Sequence, residues 1–149
     1  MSSNAPSSLF LPSVNALELN MPQAVIAIAI AVMTADGDAS EIERNELAFA
    51  LRRLRLFRGY EPSYLQEQLR SISLKIKGQE FGVVIGAVKR ALTPQLRETA
   101  FLIAAELALV DITLEAKEKV ILEKLQTGLE IDAAVGSKIV EVIRIRHRG

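Results

Sequence analysis

The sequence predicts an all-α fold, a bundle of six or seven helices. Three observations point to it. Apolar residues recur at three- and four-residue spacing in one segment after another, as a helix with one buried face requires. Helix starts are marked by Pro22, Ser40, Pro62 and Thr93-Pro94, and helix ends by Gly59, Gly78 and Gly128. No pair of alternating segments is joined by a hairpin turn, so an isolated strand would have nothing to pair with.

Met1 to Ser8 is rich in Ser, Asn and Pro, and residues 1–12 are expected to form a disordered or loosely ordered tail. A single helical domain is expected over 13–149. Ser13 is placed to cap a short helix through Leu19. Pro22 suits the first turn of the next helix, where the N–H it lacks would have no intrahelical partner. From Gln23 to Ala35 the residues are apolar almost all round, the mark of a helix at the centre of a bundle.

Asp36-Gly37-Asp38 ends that helix. Ser40 and Glu43 then form an S-x-x-E capping box, and Leu47, Leu51 and Leu54 supply the apolar face. Arg52, Arg53, Arg55 and Arg58 are expected towards solvent, with Gly59 closing the helix. A third helix is expected over 62–76. Ile72, Leu74 and Ile76 alternate like a strand, but no partner strand exists. A fourth runs from Gln79 to Leu92, where Gly82 and Gly86 would allow another helix to approach closely. The fifth, from Thr93 to Val110, is also apolar and joins the first at the centre. A sixth ends near Gly128, and Asp132 is placed to cap the last, whose Arg-rich end should fray.

Composition excludes several functions. The 149 residues carry 18 basic and 18 acidic side chains, so no net field draws nucleic acid or an anionic membrane. There is no Cys and one His, His147, which removes disulfides, thiolate chemistry, ordinary tetrahedral zinc and Ser-His-Asp catalysis. No P-loop or dinucleotide fingerprint occurs. The start lacks the basic and apolar regions of a signal peptide, and no apolar run reaches the roughly 20 residues of a membrane span. A cytoplasmic, non-enzymatic protein with no organic cofactor is expected.

One motif occurs twice. Ala35-Asp36-Gly37-Asp38-Ala39-Ser40-Glu41-Ile42-Glu43 has a counterpart in Val110-Asp111-Ile112-Thr113-Leu114-Glu115-Ala116-Lys117-Glu118. In both, an Asp ends an apolar helix and a Glu follows seven positions later. The chain therefore reads as two internally related helix–turn–helix halves. An Asp at a helix C-terminus faces the negative end of the helix dipole, which is mildly unfavourable unless something positive compensates. Asp36, Asp38, Glu43, Asp111 and Glu118 are accordingly candidate ligands for a divalent cation, Ca²⁺ or similar, which prefers oxygen donors. The loop is not an EF-hand, since Glu41 and Leu47 stand where the Gly and the bidentate Glu belong. The same residues also serve as ordinary caps and turn formers, and Glu43 has a complete role in the capping box.

The first motif, at the end of an apolar Ala/Ile helix, resembles the TerB (tellurite-resistance protein B) family, and the second half is similar in the same way. The resemblance covers about residues 15 to 146. It implies duplicated helix–turn–helix units and a bacterial stress-response protein that senses a metal and works with protein partners. The family's acidic turn residues carry over to Asp36, Asp38 and Glu43, and to Asp111 and Glu118. Ile112 and Thr113 depart from the pattern where the first copy has Gly37 and Asp38. Two readings stand beside each other, a cation-binding module and a metal-independent interaction or scaffold module. The apolar, neutral composition adds a homodimer as an expectation. A metal-dependent hydrolase using paired carboxylates is the weakest reading, since no nucleophile is visible.

Overall fold

The computed structural model describes residues 17–35, 37–109 and 115–148. Among the described residues seven helices follow one another: α1 Met21–Met33, α2 Glu41–Arg52, α3 Pro62–Ile76, α4 Phe81–Ala91, α5 Pro94–Ala108, α6 Glu115–Gly128 and α7 Ala133–Arg148, with a 3₁₀ turn at Arg55–Phe57. No strand occurs among the described residues.

α1 is the centre of the bundle. It packs on α3, α4 and α5, and every residue from Ala24 to Ile30 is buried. A helix with no polar face has no side that tolerates water, so it is surrounded. α6 packs across α4 and α5, α7 packs on α5, and α2 sits at the edge, chiefly against α3. α1 opens with a capping box missed in the sequence: Asn20 Oδ1 accepts the Gln23 N–H at 2.9 Å and Gln23 Oε1 accepts the Asn20 N–H at 3.0 Å.

The short helix expected through Leu19 does not extend over residues 17–20, and Ser13 and the 1–12 tail lie outside the described residues. There two backbone carbonyls are met by side chains of other helices. Lys75 of α3 donates to the Glu18 carbonyl at 3.0 Å, and Arg90 of α4 to that of Leu17 at 3.4 Å.

α2 also stops earlier than expected, at Arg52 rather than Gly59. The break lets the 3₁₀ turn bury Phe57, whose ring meets Tyr60 edge-on at 5.2 Å. The four Arg of this stretch are exposed. α3 has the expected bounds, and its buried residues Leu65, Leu69, Ile72 and Ile76 keep helical spacing, so the strand-like alternation has no structural role. Gly78, at φ +82°, takes the chain out of it. Thr93 Oγ1 caps α5 by accepting the Leu96 N–H at 3.3 Å.

Close helix approach occurs, but not at Gly82 or Gly86. A Cβ on Gly82 would meet nothing within 4 Å, and on Gly86 only the Arg90 guanidinium at 3.4 Å. The tight spot is Gly128 on α6, where a Cβ would overlap Cγ2 of Ile85 on α4. Gly128 is not the residue that turns the chain. Ile131 N–H bonds to the Gln126 carbonyl at 2.9 Å and Glu130 N–H to that of Thr127 at 3.2 Å, a Schellman pattern with Glu130 in the left-handed position, φ +55°. Lys89 holds Glu130 through a 2.6 Å ion pair.

The last helix runs to Arg148. Arg146 pairs with Glu106 of α5 at 3.4 Å. His147 lies exposed, its Nδ1 3.4 Å from the Leu109 carbonyl. No helix among the described residues is long and apolar enough to cross a membrane.

Candidate functional site at the first acidic corner

The corner between α1 and α2 is assembled from local bonds. Thr34 donates twice to the Ile30 carbonyl, from N–H at 2.9 Å and from Oγ1 at 2.7 Å. Gly37 N–H bonds to the Thr34 carbonyl at 3.1 Å, and Gly37 takes φ +134°, a conformation few side chains tolerate. Ala39 is buried and anchors the loop. Arg44 reaches back from α2 and donates to the Ala39 carbonyl at 2.8 Å. The capping box forms as expected: Ser40 Oγ accepts the Glu43 N–H at 3.1 Å, and Glu43 Oε1 accepts the Ser40 N–H at 2.8 Å.

The five candidate acids fare differently. Asp36 and Asp111 lie outside the described residues. Asp38 is exposed and faces a groove. Glu43 is exposed and engaged: the Ser40 backbone N–H, then the Ser40 hydroxyl, hold its carboxyl below the ordinary value of 4.5. One of its oxygens is thus already committed as a cap. Glu118 sits in the first turns of α6, 3% exposed, and has an interaction of its own. No group of three or more His, Cys, Asp or Glu side chains among the described residues is placed to hold a metal ion. Of the described acids, Asp38 alone offers an exposed carboxylate to the groove.

That groove is the larger feature. It encloses about 840 Å³ between the end of α1, the corner, the end of α3, the start of α4 and one face of α6. Ile30, Leu74, Phe81 and Ile121 give it apolar walls. Arg44, Lys77 and Lys124 bring positive charge from three separate helix ends or faces, against Asp38. Lys77 and Lys124 form no ion pair among the described residues. Three cations about an open groove attract carboxylates and oppose a small cation. These lysines are 47 positions apart (124 − 77) and carry no motif, so nothing local in the sequence announces their convergence.

No family model matches this chain, and neither does any curated protein or solved structure.

Proposed function

We propose that the protein is a non-catalytic, TerB-like stress-response module of the cytoplasm that acts by holding a protein partner, with the groove at the first corner as its working face. The observation that carries this reading is the groove's lining. Apolar walls ringed by Arg44, Lys77 and Lys124 suit an apolar segment that bears carboxylates. The cations would steer such a segment in, and the walls would bury its apolar side chains. The metal-independent reading is favoured because Glu43 already serves Ser40 and because the groove's cations raise the cost of a bound divalent ion.

The second reading, a divalent cation held by Asp36, Asp38, Glu43, Asp111 and Glu118, rests on the recurrence of the acidic turn in the two related halves. One pair of experiments separates the two. Affinity capture compares the wild-type chain with a Lys77→Glu, Lys124→Glu double variant. A partner retained by the first and lost by the second, at unchanged melting temperature, supports the groove; equal capture by both refutes it. Chelator-stripped protein is then melted with Ca²⁺, Mg²⁺, Mn²⁺ or Zn²⁺ added. An ion binding only the folded state at a hundredfold its Kd adds about 2.7 kcal/mol. A shift for one ion that vanishes in Asp38→Asn establishes the cation reading, and no shift for any ion removes it.

A further inference from the structure

The outer face of α2 carries a second surface, on the side away from its few buried residues. Leu47, Ala48 and Leu51 hold this helix to the bundle. Ile42 and Phe49, two turns apart, point the other way and are 70% and 66% exposed. Asn45, Glu46 and Arg53 complete that stripe at helical spacing. The stripe lines a shallow concavity of about 490 Å³, closed on one side by Arg146 of α7. Next to Arg146, Val142 and Ile145 share its helical face and are 62% and 52% exposed. A large aromatic and three branched aliphatics exposed on these two helices, with Arg146 of α7 lining the α2 concavity, are more than scattered exposure explains.

The charges on α2 say what covers it. Glu41 and Glu43 lie in its first turn, and Arg52 and Arg53 at its end. A helix acidic at one end and basic at the other complements a copy of itself run antiparallel. A two-fold axis passing between Asn45 and Glu46 places Ile42 of one copy on Phe49 of the other. The same axis places Glu41 of one copy within a turn of Arg52 and Arg53 of the other. The apolar pairing and the pairing of the helix ends thus agree on one register, as an isologous contact requires, with Glu46 of each copy opposite Asn45 of the other at the axis. A parallel pairing would set acid on acid and Arg on Arg. We infer that the protein forms a two-fold homodimer through the outer face of α2, extended by Val142 and Ile145 of α7. A two-turn stripe on a helix of about 18 Å is small for a stable dimer, so the α7 residues are needed to complete the buried area. This inference does not depend on what occupies the groove.

Sedimentation velocity of the full chain from 5 to 200 µM, values of the order suited to moderate dimers, tests it. The expected result is a concentration-dependent dimer. Phe49→Asp should leave a monomer with unchanged helical circular dichroism, since that side chain is outside the core. Arg53→Glu should weaken the dimer at least tenfold, and Glu41→Lys added to Arg53→Glu should recover part of the loss. A wild-type chain that is monomeric throughout overturns the inference. So does a Phe49→Asp or Arg53→Glu variant that dimerises as tightly as the wild type.

Discussion

Replacing Gly128 by Ala should destabilise the protein, although alanine is the better helix former. The gain from removing a helical glycine is up to about 1 kcal/mol, and less in a last turn. Against it stands Cγ2 of Ile85, which the new Cβ would overlap. Ile85 cannot swing aside cheaply: it is β-branched, held to one preferred rotamer in a helix, and 4% exposed. Forcing a methyl into such a site costs about 1–3 kcal/mol, because α4 and α6 must separate slightly. The net loss is about 1–2 kcal/mol, or roughly 3–6 °C in melting temperature for a chain of this size. Gly86→Ala is the control, since its Cβ meets only the mobile end of Arg90. It should gain about 0.5–1 kcal/mol. Thermal melts of both variants read the opposite signs directly. A double-mutant cycle isolates the contact: Ile85→Ala should cost at least about 1 kcal/mol less in the Gly128→Ala background than in the wild type. A Gly128→Ala variant that melts at or above the wild type, or a cycle that is additive, would refute the reasoning.

Other outcomes follow from single contacts. Ile28→Ala, at a fully buried position of α1, should cost about 2–5 kcal/mol by urea unfolding, a large share of a typical domain's stability. Ser40→Ala should cost about 1 kcal/mol through loss of the capping box, with α2 fraying first in hydrogen exchange. Glu43 has its folded pKa lowered, so its contribution is present above the ordinary value of 4.5 and fades as pH falls through the folded value. Unfolding titrations from neutral pH downward should therefore show a slope below about pH 4.5 that Glu43→Gln reduces, since glutamine keeps the bond to Ser40 but does not titrate. Glu130, lowered by its bond to Lys89, adds to that slope in the same direction. Raising salt should weaken this exposed pair and leave the Ser40 bonds unaffected.

Much of the fold could be read locally. The all-round apolar run over Ala24–Ile30, the Ser40–Glu43 box, the Thr93 cap and the bounds of α3 all depend on residues within a turn or two of one another. Such signals act before any tertiary contact exists, so they survive in the sequence intact. Where the reading went astray, a distant residue had intervened. Residues 17–20 are not helical, and Lys75 and Arg90 bond the carbonyls of Glu18 and Leu17 there. α2 ends early because Phe57 is drawn into the core. α6 does end at Gly128 as expected, but it is Glu130 that turns the chain, and the missing side chain of Gly128 makes room for Ile85.

The candidate site divides in the same way. The sequence by itself determined the acidic corner, its glycine turn and the cap that follows it. Only the tertiary structure decided that Glu118 is buried and that Arg44, Lys77 and Lys124 meet around one groove. The reason is physical: capping and turn formation are short-range and residue-specific, whereas the sign of the field in a groove is a sum over side chains that folding alone brings together.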